Sequence, residues 1–183
     1  MEGAEPVGAA GSWWQRQASR EAGRDRLGAG ERAGNIVGIA VIAAIFLLFL
    51  HIQYNDVFGF FTSAFGPAEQ LAFYGSLLFG IVPNLTRALT GSRNAGRLTD
   101  VASSIVFVVA GTYLLITFPF DFSHLIALAP DDVEARLSWV TNSLFMLLLR
   151  IVLVLSVLGA AFNAWMYLSV RDELLRRRQI LYR

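Results

Sequence analysis

The sequence predicts an all-α, polytopic integral membrane protein in which four transmembrane helices form a bundle and both termini are cytoplasmic. Three observations predict this fold. The 183-residue chain is 55% hydrophobic and only 16% charged, whereas about a quarter of the residues are charged in ordinary soluble domains. Four segments are apolar over the roughly 20 residues that a helix needs to cross the hydrocarbon core. Arginine residues gather at the termini and in one of the three connections, as expected of a multi-pass topology.

The four predicted spans cover residues 35–54, 68–86, 101–120 and 139–170. The first follows 34 residues, has a long apolar core and precedes no small-residue cleavage site, so we expect a retained anchor and not a cleaved signal peptide. In the second, Pro83 is expected to kink the helix near its inner end because proline removes a backbone hydrogen bond. Together these segments predict a membrane domain over residues 34–172.

Polar segments flank this domain on both sides. Residues 1–33 are predicted to be a flexible, polar and basic cytoplasmic tail. Within it, "SWWQ" at residues 12–15 has the spacing of a capping box, which predicts a short helix ending near Gly28. Residues 173–183 are predicted to continue the last helix as a basic cytoplasmic tail.

The distribution of arginine predicts the orientation, because basic residues are retained on the cytoplasmic side. The two connections predicted to face outward contain only Arg136 between them. All 15 basic residues are arginine, a bias that we attribute to a GC-rich prokaryotic genome, so the plasma membrane of a prokaryote is predicted. The cytoplasmic set comprises Arg16, Arg20, Arg24, Arg26 and Arg32 before the first span, Arg87, Arg93 and Arg97 between the second and third, and Arg171, Arg176, Arg177, Arg178 and Arg183 after the fourth.

Arg150 interrupts the apolar run "MLLLRIVLV" of the fourth span. It lies 21 residues before Arg171, a separation of about 31 Å along a helix. Arg150 is therefore expected at the outer boundary, where its side chain extends to the headgroups. A deeper position would require a carboxylate partner, for which Asp56 and Asp121 are the candidates.

The segment before Arg150 has two predicted geometries. Residues 133–149 carry a heptad-like apolar stripe. They can form the outer end of one long fourth helix, or an interfacial amphipathic helix that bends into the span.

Few residues in the sequence indicate chemistry. The chain has no cysteine, which excludes disulfides and thiol catalysis, and no phosphate loop or metal-ligand spacing is recognisable. Both histidines, His51 and His124, fall on the outer side, where they are weak candidates for haem or pigment ligands. The loop "FPFDFSH", residues 118–124, is expected to lie flat with its phenylalanines in the interface. No cofactor, no metal site and no catalytic residue is predicted.

The predicted partners are membrane lipids and other membrane proteins. Arg176, Arg177 and Arg178 are expected to contact anionic headgroups, each contributing about 1 kcal/mol near the surface. The net charge of +1 gives no indication of nucleic-acid binding. Small residues on the spans, among them Gly38, Gly111 and Gly159, permit close helix packing within the chain or against a partner, and the sequence leaves both open.

These features predict a non-catalytic protein: an accessory, scaffold or assembly subunit of a homo- or hetero-oligomeric membrane complex. The first alternative is a small transporter or channel with an outer site formed by Arg150 and either Asp56 or Asp121. The second alternative is a haem or pigment carrier that uses His51 and His124.

Overall fold

A computed structural model describes residues 13–55, 59–123 and 139–181, and these residues confirm the all-α class. Apart from isolated bridges between loops, their regular structure is helical. The helices are α1 (Trp13–Gly23), α2 (Ala29–Asn55), α3 (Pro67–Phe79), α4 (Ile81–Thr90), α5 (Arg93–Thr117) and α6 (Asn142–Leu181).

Three of these helices are long and apolar enough to cross a membrane: α2, α5 and the Asn142–Arg177 part of α6. They correspond to the predicted first, third and fourth spans. The chain therefore has the helices of a multi-pass membrane protein, as the sequence predicted.

The predicted second span consists of two shorter helices. α3 has 13 residues and α4 has 10, with Gly80 between them. The break lies just before Pro83, because proline has no N–H to bond the carbonyl of Phe79 and its ring crowds that carbonyl. Ser103 of α5 supplies the missing donor, with its hydroxyl 2.7 Å from the Phe79 oxygen.

α6 is one uninterrupted helix of 40 residues, about 60 Å long at 1.5 Å per residue. It continues straight through Arg150 in the helical register. α6 begins at Asn142 after the non-helical residues 139–141, so residues 133–149 do not all belong to one long helix. No break lies between Asn142 and Arg150, and the part of the amphipathic stripe before Trp139 lies outside the described residues.

The helices form an open row. α5 packs against α6 on one side and against α3 and α4 on the other, and α2 packs against α3 and α4. Among the described residues, α2 and α6 do not pack along each other. Both helices contribute residues to the two pockets described below, and we call the space between them the interhelical cleft. Glycine at position 111 allows α5 to pack closely on α6, because a Cβ there would lie 2.7 Å from the Leu153 side chain.

The row has two chemically distinct ends. The arginine end contains residues 21–32 and 87–97, and an isolated bridge there joins Arg26 to Ser92. The phenylalanine end contains residues 59–66 and 118–123, and a second bridge joins Phe61 to Phe120. α2 and α5 run from the arginine end to the phenylalanine end.

α1 lies within the segment that the sequence predicts as a flexible tail, and it is packed. Its Ala22 is 7% exposed and contacts Met166 and Val170 of α6, which are 3% and 0% exposed. The predicted short helix after "SWWQ" is present over Trp13–Gly23, and it ends before the expected end near Gly28. It fixes the arginine end of α6 to the start of the chain.

Candidate functional site

Arg150 is exposed on α6. No carboxylate of the described residues forms an ion pair with it. Asp121 instead accepts hydrogen bonds from the Ser123 hydroxyl, at 2.5 Å, and from the Asn142 amide, at 3.4 Å. Asp56 lies outside the described residues, so the pairing of Arg150 with an acidic residue stays a prediction.

His51 is exposed near the end of α2. Its Nδ1 lies 3.0 Å from the Asn55 amide nitrogen, one helical turn later. His124 lies outside the described residues. Within residues 13–55, 59–123 and 139–181, no group of three His, Cys, Asp or Glu side chains is placed to hold a metal ion. The alternative that His51 and His124 bind haem or a pigment therefore stays a prediction.

The three arginines predicted to contact headgroups differ in their surroundings. Arg176 is exposed. Arg177 donates to Glu173 at 3.1 Å and to the Ser19 carbonyl at 2.9 Å, so it joins α6 to α1. The Arg178 side chain lies outside the described part of the structure. The headgroup contact remains a prediction.

An apolar pocket of about 300 Å³ lies at the phenylalanine end, between α2, α3 and α6. We call it the phenylalanine pocket. Phe122 and Phe145 stack along it with their rings 3.4 Å apart and nearly parallel, at 7°. All its lining residues are apolar: Phe49, Phe60, Phe73, Phe118, Phe120, Phe122, Phe145, Leu148, Leu149 and Val152.

A sharp chain reversal after α5 brings these rings together. Phe118 ends α5 in the left-handed conformation, with φ 36° and ψ 68°, which costs a bulky residue about 1–3 kcal/mol. The buried Pro119 follows, and its carbonyl accepts a hydrogen bond from Thr62 N at 3.1 Å. Phe120 is therefore 8% exposed in an aromatic cluster. The expectation that this loop lies flat, with its phenylalanines in the interface, is wrong for Phe120, because the pairing of the two loops turns the ring inward.

At the arginine end, the linker between α1 and α2 is bonded to the start of α5. The Asp25 carboxylate accepts hydrogen bonds from the Ser92 hydroxyl, at 3.0 Å, and from Asn94 N, at 2.8 Å. Ser92 is the N-cap of α5 and accepts in turn from Ala95 N, at 3.1 Å. A carboxylate suits this position because the helix N-terminus carries positive partial charge.

The C-terminus of α4 is closed by a glycine and an arginine. Gly91 takes the left-handed conformation with φ 61°, the usual way to end a helix. Arg32 of α2 lies over Gly91 and donates to the Ala88 carbonyl at 2.8 Å. Backbone and side-chain bonds therefore connect α1, α2, α4 and α5 at this end.

A polar pocket of about 470 Å³ lies among these connections, and we call it the arginine pocket. Its guanidinium groups are each paired with a carboxylate: Arg87 with Asp100, Arg93 with Glu31, and Arg97 with Glu21 at 2.6 Å. Those pairs leave most of the guanidinium N–H groups available. The pocket is lined by Glu21, Leu27, Glu31, Gly34, Asn35, Arg87, Arg93, Arg97 and Asn163.

One face of α6 borders both pockets. Val152 lines the phenylalanine pocket and Asn163 lines the arginine pocket. Gly159 lies between them, within about 40° of both around the helix at 100° per residue. A Cβ on Gly159 would have nothing within 4 Å. These three residues therefore share one side of α6, with Val152 and Asn163 about 16 Å apart along the axis.

Arg150 does not belong to this face. Counted at about 100° per residue, it lies roughly 150° around α6 from the middle of the residues that line the phenylalanine pocket. Its exposed guanidinium is consequently directed away from both pockets.

Comparison with known proteins gives no match to a family model, to a curated protein or to a solved structure. The function is therefore argued from the chain itself. Sequence reasoning missed both pockets, since each is assembled from segments far apart in the chain. The available signals were the recurrence of phenylalanine in both predicted outer loops and the three arginines within residues 87–97.

Proposed function

We propose that the chain crosses a prokaryotic plasma membrane four times, with both termini and the arginine end in the cytoplasm. The α3–α4 pair, which is the predicted second span, supplies the crossing that is needed besides α2, α5 and α6. α2 ends at the phenylalanine end and α5 begins at the arginine end, so residues 67–90 must return through the same thickness. At about 1.5 Å per residue this pair is roughly 36 Å long, enough for the hydrocarbon core. The arginine content of the arginine end supports its cytoplasmic placement.

We further propose that the protein is a non-catalytic accessory or scaffold subunit of a homo- or hetero-oligomeric membrane complex. The observation that carries this proposal is that α6 is covered along one side by α5 while its opposite side is open. That open side is apolar within the membrane segment and becomes charged beyond Val170. Its exposed residues recur at helical spacing and share one stripe: Leu147, Ile151, Val154 and Leu158.

A stripe of this kind supplies a docking surface for another transmembrane helix. Association of helices in lipid depends on van der Waals packing, because lipid chains are as apolar as leucine. The extension of α6 into the cytoplasm, with Arg176 exposed, adds polar contacts that would fix the orientation of a partner. A helix that provides both kinds of contact suits a scaffold role.

The test is purification of the full chain in mild detergent, followed by sizing and mass spectrometry of co-purifying proteins. We expect a complex larger than the monomer. Leu158→Trp should reduce recovery of the partner, or of the homo-oligomer, by about tenfold, since a lost interface contact of 1.4 kcal/mol has that effect. Val109→Trp is the matched control, because Val109 is a similarly exposed apolar residue on α5. A lone monomer with no co-purifying protein would contradict the proposal.

A further inference from the structure

We propose that the arginine pocket binds the phosphate of an anionic phospholipid, whose acyl chain lies in the interhelical cleft. This site is separate from the headgroup contact predicted for Arg176, Arg177 and Arg178. It rests on the membrane placement proposed above and is independent of the scaffold role.

Unused hydrogen-bond donors are the first argument. Arg87 comes from α4, while Arg93 and Arg97 come from α5, and all three line one pocket. Each guanidinium makes a single side-chain hydrogen bond within the described residues. Guanidinium groups bind phosphate through paired N–H donors, and several around one pocket form a phosphate site of ordinary type.

An unpartnered buried atom is the second argument. The Nε of Arg93 is buried and has no hydrogen-bond partner among the described residues. A buried donor without a partner is unfavourable, and it calls for an explanation. This nitrogen has almost no accessible surface, so a phosphate oxygen would reach it only if the Arg93 side chain turned away from Glu31.

The Glu31 carboxylate does not block this site. Glu31, which pairs with Arg93, is 47% exposed at its side chain, and ion pairs at such exposed positions contribute little to stability. An incoming phosphate can therefore replace Glu31 as the partner of Arg93. It follows that the charge of Glu31 should weaken phosphate binding.

The interhelical cleft identifies the phosphate carrier as a lipid. Asn163 in the arginine pocket, Gly159 and Val152 in the phenylalanine pocket lie on one side of α6, which faces the interhelical cleft. The far end of this path offers only apolar residues, so water there would find no hydrogen-bond partners. A hydrocarbon chain about 16 Å long would lie along the path. A free phosphate would use the arginine pocket alone.

The binding experiment uses the full-length chain, purified in detergent and depleted of lipid, with native mass spectrometry as the readout. The probes are phosphatidylglycerol, phosphatidylcholine and glycerol 1-phosphate. We expect phosphatidylglycerol to bind about tenfold more tightly than phosphatidylcholine, because both lipids carry the same phosphate but the cationic choline is repelled by the arginines. Glycerol 1-phosphate should bind far more weakly than either lipid. Equal binding of the two lipids overturns the proposal. Binding of glycerol 1-phosphate as tight as that of phosphatidylglycerol also overturns it, because the site would then be one for soluble anions.

Two substitutions in one ion pair separate a binding site from a purely structural contact. Arg93→Gln should weaken phosphatidylglycerol binding about tenfold, whereas Glu31→Gln should strengthen it. Arg16→Gln removes the same charge from an exposed arginine of α1, which neither lines the arginine pocket nor belongs to the predicted headgroup contact, and should leave the affinity unchanged. If Glu31→Gln and Arg93→Gln both weaken binding, the pair is only structural and the proposal fails.

A second pair of variants tests the proposed position of the acyl chain. Gly159→Leu places a side chain in the cleft, and Ala161→Leu places the same side chain on an exposed side of α6. The first should weaken phosphatidylglycerol binding several-fold and the second should not. Should Gly159→Leu fail to fold, as judged by circular dichroism and sizing, Val152→Phe replaces it and should reduce binding of long-chain but not short-chain phosphatidylglycerol. Unchanged binding in the folded variant overturns the cleft assignment. A monomer that still selects phosphatidylglycerol would contradict the scaffold role and leave this proposal standing.

Discussion

At the scale of single residues, glycines on the two packed helices α5 and α6 have opposite surroundings. Gly111 of α5 lies against Leu153 of α6, where a Cβ would come within 2.7 Å, while Gly159 borders open space. The sequence left open whether small residues serve packing within the chain or against another molecule. The structure assigns Gly111 to internal packing and leaves Gly159 free for an external contact.

This difference predicts opposite effects of the same substitution. Gly111→Ala should lower the free energy of unfolding by about 1–3 kcal/mol, because an added methyl overpacks the α5–α6 contact. Gly159→Ala should raise it by up to about 1 kcal/mol, since alanine is the better helix former and nothing obstructs its Cβ. Denaturant unfolding in detergent, followed by circular dichroism, measures both. Equal effects of the two variants would contradict the assignment.

Ser103 and Pro83 form a second residue-scale prediction. Ser103→Ala should destabilise the protein by about 0.5–1.5 kcal/mol, because the Phe79 carbonyl then loses its hydrogen bond. Pro83→Ala restores the N–H that bonds this carbonyl in a regular helix. Ser103→Ala should therefore destabilise the protein less in the Pro83→Ala background. A double-mutant cycle tests this, and a coupling energy of zero would show that the serine acts independently of the proline.

At the scale of elements, α1 and its linker hold the arginine end together. Asp25 joins the linker to the N-terminus of α5, and Arg97 pairs with Glu21 of α1. The linker also bonds the α4–α5 turn, from Leu27 N to the Gly91 carbonyl at 2.8 Å. Residues 13–28, which precede α2, are thus part of the folded structure.

The linker prediction concerns Asp25→Ala. This substitution should lower the free energy of unfolding by about 1–2 kcal/mol, the usual effect of removing a helix-capping side chain. The released linker should also be cleaved faster by trypsin at Arg24 and Arg26. Asp172→Ala, an exposed aspartate on α6, is the control and should change neither quantity. Unaltered proteolysis of Asp25→Ala would show that the linker is held without its carboxylate.

At the scale of the whole molecule, the two ends of the helix row place the arginine and phenylalanine residues far apart. This separation makes orientation measurable, because the chain has no cysteine and engineered thiols have no background. The structure determines which positions are usable. Asn94 is only 6% exposed, so a thiol there would resist labelling for reasons unrelated to topology. Ser63 and Gly28 are exposed at opposite ends.

The topology prediction uses these two positions in intact cells. A membrane-impermeant maleimide should label Ser63→Cys at once and should label Gly28→Cys only after permeabilisation. The physical reason is the retention of arginine-rich segments on the cytoplasmic side. The reverse pattern would place the arginine end outside and overturn both the orientation and the inner-leaflet lipid site.

Most of the helical architecture was predictable because membrane helices are determined by local composition. The apolar runs of residues 35–54 and 101–120 lie within α2 and, in large part, α5. α3 begins at Pro67, where the missing N–H costs nothing in the first helical turn. The break in the second span was expected at Pro83 and lies at Gly80, since a proline disrupts the turn that precedes it.

The candidate sites were not predictable in the same way. The arginines of residues 87–97 were recognised only as orientation signals, because sequence spacing does not show that Glu21, Glu31 and Asn163 converge on them. The phenylalanine pocket depends on the left-handed Phe118 and on pairing between two loops. Neither feature follows from a periodic pattern.

The sequence by itself determined that the chain is helical, apolar and asymmetric in its arginine distribution, since these properties arise from residues that are neighbours in the chain. Tertiary structure decided which faces of those helices are covered. The open row, the cleft between α2 and α6, and the two pockets result from packing between distant segments. Lipid and protein are equally good surroundings for an apolar side chain, so hydrophobicity alone cannot select the packed face, and close contacts such as that of Gly111 with Leu153 make the selection.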